Sequence, residues 1–208
     1  ADGAARAGTQ SLMMEMLEEG TETRSALDIA IEQERLGASI AAGTSTDAST
    51  VQMTALTANL VPSLALMADV VRNPAFAPDE VARVKDQRLA DIAQELADPS
   101  GLAYRAVGPI IYGPGHPYGS VGATGLSKVV AAITPAMLEE QHALWLRPDA
   151  ARVTVVGDVT MAELLPALEE AFGDWRAPAH AKPVKNLAVA TPPASPRLVV
   201  IDRPNSPQ

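Results

Sequence analysis

Ala38-Ser39-Ile40-Ala41-Ala42-Gly43-Thr44-Ser45-Thr46-Asp47-Ala48-Ser49-Thr50-Val51-Gln52-Met53-Thr54-Ala55 is where the periodicity of the chain changes. Thr50, Gln52 and Thr54 alternate with Val51, Met53 and Ala55, the period-two signature of a strand with one buried face. Residues 38–45 are its expected hairpin partner across Thr46-Asp47-Ala48. On both sides of this hairpin the apolar residues return to helical spacing. A hairpin set among amphipathic helices predicts an α+β fold, with a mainly antiparallel sheet and helices packed on one face.

Upstream, Thr9 is expected to cap a helix carrying Leu12, Met13, Met16 and Leu17, which ends at Gly20. Ser25 caps a second, with Ala26, Ile29, Ala30 and Leu36 on its apolar side and Gly37 as terminator. Downstream, Asn59 caps a helix bearing Leu60, Leu64, Met67, Ala68 and Val71, stopped by Asn73-Pro74. Pro78 opens the longest helix, with Val81, Val84, Leu89, Ile92 and Leu96 on one side and Asp98-Pro99 at its end. A helix is expected over residues 102–111, then a Gly/Pro-rich loop over 113–125 and two short helices starting at Ser127 and at Thr134-Pro135. Residues 153–156 read as a strand, and Thr160 with Glu163 forms a capping box for a helix ending near Phe172. Residues 177–196 hold five prolines without a clear period and read as a linker. Residues 198–201 read as a short strand. The expected organisation is a domain over residues 1–176, a linker over 177–196, and the start of a following unit, or a donated strand, over 197–208.

The 208 residues include 16 basic and 25 acidic side chains, a net charge of -9, which argues against nucleic-acid binding. No apolar run approaches the roughly 18 residues of a spanning helix. The absence of Cys removes disulfides, thiolate nucleophiles and thiolate zinc sites together. Residue 1 is Ala, and the chain is expected to begin inside a longer product. His116, His142 and His180 are isolated, with no second histidine four residues away, and read as structural or solvent-facing. No G-x-S-x-G elbow and no phosphate loop occurs. The methionines among residues 12–17 read as core, because Met fills irregular interiors. Glu18 and Glu19 read as a solvated helix end, and the loop bearing His116 and Tyr118 as a rigid connection that needs no chemistry.

Several stretches in order carry a resemblance: Met16-Leu17-Glu18-Glu19-Gly20-Thr21, Arg24-Ser25, Glu34-Arg35-Leu36-Gly37-Ala38, Asn73-Pro74-Ala75-Phe76, His116-Pro117-Tyr118-Gly119, Leu146-Arg147-Pro148-Asp149 and Val156-Gly157-Asp158-Val159. Together they resemble the pitrilysin/insulinase family of zinc metallopeptidases, which includes the mitochondrial processing peptidase, and particularly its bacterial members. The family's catalytic signature is an inverted H-x-x-E-H on the helix before the Gly-Thr step, with a Glu on a later long helix as third ligand. Aligned on Gly20-Thr21, those positions fall on Ser11, Met14 and Glu15, and the later Glu on Asp91. The resemblance therefore implies no catalytic residue and no metal or cofactor in this chain, with zinc held only in a partner half.

By resemblance, family members form a clamshell of two similar halves, of which one carries zinc and the other closes a chamber around an unfolded peptide. The implied function is a non-catalytic domain that supports a zinc-bearing homologous half or subunit in peptide binding and proteolysis. The alternatives are an active zinc metalloendopeptidase with unusual ligands, and a peptide-binding scaffold with no proteolytic partner. A periplasmic or otherwise exported bacterial setting follows from the relatives. The family's two opening strands are expected before Ala1, so a sheet edge in this chain invites pairing by residues 198–201, within one chain or between copies.

Overall fold

Ile40, Ala42, Val51 and Met53 turn one face of the hairpin inward, while Ser39, Ala41, Thr50 and Gln52 face solvent. The computed structural model describes residues 6–113, 115–196 and 198–202. Its strands are β1 (Ser39–Thr44) and β2 (Ser49–Thr54), paired antiparallel with Ile40 opposite Met53 and Ala42 opposite Val51. Helices α1 (Thr9–Glu15) and α2 (Ala26–Leu36) precede them. Then come α3 (Leu60–Arg72), α4 (Pro78–Ala97), α5 (Pro99–Tyr112), α6 (Ser127–Ala131), α7 (Pro135–Trp145) and α8 (Met161–Phe172). The α+β class and the helices on one sheet face are as expected, but the sheet among the described residues has two strands.

Local chemistry explains most helix ends. Ser25 accepts from the Asp28 N–H at 3.1 Å while the Asp28 carboxylate accepts from the Ser25 N–H at 3.0 Å, and Gly37 ends α2 in the left-handed region at φ 60. Glu163 accepts from the Thr160 N–H at 2.9 Å at the start of α8. Asp98 both ends α4 and caps α5, accepting from the Gly101 N–H at 2.6 Å, so α5 begins at Pro99, ahead of the expected residue 102. Thr9, expected as a cap, is the first helical residue of α1. Gly8 takes the cap position instead, at φ 98, a conformation that a side chain disfavours. Asn59 holds the cap position of α3 but donates to the Leu36 carbonyl at 2.8 Å, tying α3 to the end of α2.

The core forms around α1. Leu12, Met13, Met14, Met16 and Leu17 are all buried and pack with Ile29, Ile40, Leu66, Val70, Val84, Ile92, Val130 and Leu138. A smaller cluster joins Leu64 and Ala68 of α3 to Leu164, Ala167 and Ala171 of α8.

Two expected strands are unpaired among the described residues. Residues 153–156 form no strand, and Val156 is 95% exposed. Residues 198–201 likewise pair with neither β1 nor β2, and Leu198 is 89% exposed. Alternation and β-branching prepare a segment for a sheet, but a strand also needs a neighbour to take its N–H and C=O groups. The proline-rich stretch over residues 177–196 has no helix or strand, yet it is fastened to the body at both ends of its first half. Arg147 donates to the carbonyl of His180 at 3.0 Å, Lys182 to that of Asp149 at 3.0 Å, and Lys185 to that of Thr46 at 2.6 Å.

α7 is seated on α3 through His142, whose Nε2 donates to the Val71 carbonyl at 2.7 Å and whose ring meets the edge of Phe76 at 5.9 Å. Burial lowers the pKa of His142 below its ordinary value, opposed by the Val71 bond. An unfolded imidazole takes up its proton near pH ~6.5. The folded one resists, so below that pH the unfolded chain binds more protons and stability falls as pH falls. Calorimetric melting between pH 7 and pH 5 should therefore show a declining transition temperature, and His142→Gln should flatten part of that decline. An unchanged slope in the variant would remove His142 as its source.

Candidate functional site

Ser11 and Glu15 stand one turn apart on the narrow side of α1 that escapes the core, and α4 lies opposite. The residue that meets them is Arg88. Its guanidinium pairs with the Glu15 carboxylate and reaches Ser11 Oγ at 3.4 Å and the Ala123 carbonyl at 3.5 Å. Ser11 Oγ in turn lies 3.0 Å from the Gly8 carbonyl and donates to that of Ala123. The Arg88 side chain is 14% exposed and that of Glu15 38%, so the pair is screened on one side only. One cation thus joins α1, α4 and the loop over residues 113–125.

A second arginine fixes the end of the same loop. Arg105, buried on α5, donates to Glu95 at 2.8 Å, to Thr124 Oγ1 at 2.7 Å and to the Gly125 carbonyl. Thr124 Oγ1 also donates to Glu95 at 2.7 Å. Gly125 lies against Ala7 and Gly8 so closely that a Cβ there would overlap the Ala7 carbonyl. The start of α1 is thereby pinned to the loop, which sets where Ser11 points.

Of the positions singled out by resemblance, the structure brings Ser11 and Glu15 together but not the other two. Met14 is 1% exposed and belongs to the core. Asp91 is exposed on α4, and its side chain makes no hydrogen bond or ion pair among the described residues. Zinc does not fit this arrangement. It wants three converging protein ligands with an open position, whereas here one carboxylate faces a hydroxyl, and a guanidinium occupies the space between them. Among the described residues no group of three or more His, Cys, Asp or Glu converges on a metal position. Arg88 is the residue that sequence reasoning passed over. The only available signal was Glu15 itself, a carboxylate set in a run of Met and Leu that needs a cation from elsewhere.

His116 and Tyr118 shape the loop. His116 Nδ1 accepts from the Tyr118 N–H at 3.1 Å, and its ring stacks on Tyr112 at 5.0 Å. Tyr118 Oη donates to Asp47 at 2.9 Å, and Lys185 pairs with the same carboxylate. Lys185 and Tyr118 hold Asp47 below the usual carboxylate range, and Asp47 raises the Tyr118 phenol. These contacts fasten the hairpin turn to the loop.

Between α1, β1 and Arg88 lies an open depression of about 430 Å³, lined by Ser11, Glu15, Glu18, Ala42, Thr44 and Arg88 among others. Glu18, expected as a solvated helix end, is half-buried and accepts from the Ala42 N–H at 2.8 Å. Burial pushes its carboxyl above the ordinary value, against the lowering by that bond, and Glu19 adds to the rise.

Comparison with known proteins matches this fold to one family. Residues 1–106 match the model described as Insulinase (Peptidase family M16). The chain belongs to the insulinase family of peptidases. Residues 132–208 match the model of the Peptidase M16 inactive domain. A protein of Mycobacterium bovis named an uncharacterized zinc protease is 28% identical over 202 residues, covering 97% of this chain and 46% of the relative. The chain spans about half the length of the curated relatives it matches. The peptidase M16 inactive domain from Pseudomonas fluorescens superposes with a TM-score of 0.79 at 29% identity, over 86% of this chain and 45% of that one. The periplasmic protease PqqL from Escherichia coli shares the fold, with a TM-score of 0.74 at 21% identity over 88% of this chain and 21% of its own.

Replacing Arg88 removes the cation that faces Glu15 and the donor that reaches Ser11 and Ala123. Arg88→Gln should lower stability by about 1–3 kcal/mol, the cost of leaving such groups unpartnered. It should also speed hydrogen exchange of the amides over residues 120–125. Mass-spectrometric exchange with a thermal melt is the check. An unaltered loop would mean that Arg105 alone holds it.

Proposed function

We propose that this chain is a non-catalytic domain of an insulinase-type metallopeptidase, which supports a zinc-bearing homologous half and lines the chamber that receives unfolded peptide. The observation that carries this reading is the Arg88 guanidinium lodged between Ser11 and Glu15. A positive side chain there repels a second cation, and neither the Ser11 hydroxyl nor the buried Met14 thioether can replace imidazole and a water-activating carboxylate. The match to the inactive-domain model supports the same conclusion. The naming of relatives as zinc proteases fits a parent protein, or a companion chain, whose other half holds the metal. In this reading residues 1–176 make the domain, residues 177–196 connect it, and residues 197–208 open the following unit. The periplasmic description of PqqL supports an exported setting. No helix among the described residues is long and apolar enough to cross a membrane.

The test combines metal analysis with reconstitution. After dialysis, the isolated chain should retain no stoichiometric zinc and should leave a quenched peptide substrate intact. Mixed with the homologous half that carries an intact H-x-x-E-H, it should raise peptide cleavage above that half alone. One zinc per chain, removable by chelator with loss of cleavage, would establish the chain as an enzyme. Cleavage by the zinc-bearing half that is indifferent to this chain would reduce it to a scaffold.

A further inference from the structure

In an antiparallel pair, alternate residues turn their N–H and C=O groups toward the partner strand and the others turn them away. The outward residues of β1 are Ile40, Ala42 and Thr44, because Ile40 and Ala42 give their N–H groups to side chains rather than to β2. Ile40 donates to Gln33 Oε1 at 2.6 Å and Ala42 to Glu18 Oε1 at 2.8 Å. Two acceptor oxygens therefore stand two residues apart along the edge, where the carbonyls of an added strand would stand. They come from different elements, α2 and the turn after α1, so they are not a local consequence of the hairpin. Beyond them lies the open depression of about 430 Å³ that borders Ala42, Gly43 and Thr44. An exposed strand edge is a template for any extended chain, and occupied donors close it.

The geometry points to Glu18 and Gln33 as a built-in cap on the β1 edge, which an extended peptide segment must displace in order to add there as a strand. This rests on the reading of the domain as a wall of a peptide chamber, and it names the contact that regulates that wall. The carboxylate and amide hold the edge shut in the absence of peptide. They yield to a partner that supplies main-chain carbonyls at the same spacing together with further contacts in the depression. Breaking two such bonds weakens peptide binding by about thirtyfold, since each is worth on the order of 1 kcal/mol net.

The test uses the whole 208-residue chain and a fluorescein-labelled peptide, Lys-Thr-Val-Thr-Val-Thr-Lys, followed by anisotropy. The double variant Glu18→Ala with Gln33→Ala should bind the probe about thirtyfold more tightly than the unaltered chain. Glu18→Gln, which keeps an acceptor oxygen, should behave like the unaltered chain. Hydrogen exchange supplies the residue-level readout: the Ile40 and Ala42 amides should lose protection in the double variant and recover it with probe present. Should the double variant not fold, Glu18→Ala alone gives the same direction with a smaller gain, read at Ala42. Equal binding by the unaltered chain and the variants would overturn the cap while leaving the peptide-lining role standing. No binding by any of them at millimolar probe would overturn both.

Discussion

The enclosure of α1 is the constraint on which the rest of the structure depends. A helix of seven residues is far below the length at which helices hold together in water, and no side chain caps this one. It persists because Leu12, Met13, Met14, Met16 and Leu17 are removed from solvent, each contributing on the order of 1.5–3 kcal/mol. A helix that is apolar nearly all round must be surrounded, and β1 and α7 pack along it while Arg88 of α4 closes over its remaining side. Gly8 and Gly125 allow the loop to close over its first turn at a distance that no Cβ would permit.

Enclosure leaves one stripe of α1 to deal with polar groups, and that stripe carries Glu15. A carboxylate half out of water beside an apolar wall is costly unless a positive group stands near it. Arg88 meets the need from α4, and its planar fork has donors left over for Ser11 and the Ala123 carbonyl. For the fold, the guanidinium does what a bound cation would do, neutralising the carboxylate and tying two helices and a loop. It also fills the place that another cation would need, so the same contact that holds the fold supports the proposed non-catalytic role.

The sheet obeys the same economy of partners. Two strands alone are marginal in water, and this pair stands because one face joins the core around α1. Its β1 edge is covered by side chains from elsewhere, whereas residues 153–156 have the composition of a strand and no strand beside them among the described residues. The proline-rich stretch, which composition alone marks as a loose tether, is drawn onto the surface by Arg147, Lys182 and Lys185.

What the amino-acid sequence determined by itself is whatever acts within a turn or two of chain. The Ser25–Asp28 capping box, the stop at Gly37, the start at Pro78 and the hairpin across Thr46-Asp47-Ala48 are all of this kind. So is the order of short motifs that marks the family. Only the tertiary structure decided the partners. Arg88 meets Glu15 from 73 residues away, Glu18 reaches Ala42 across 24, and Lys185 returns to Thr46 across 139. Periodicity and caps state which groups will be left needing a charge, a donor or a neighbouring strand. Which distant residue supplies it is settled only when the core brings the segments together, and a segment such as residues 153–156 stays irregular when none arrives.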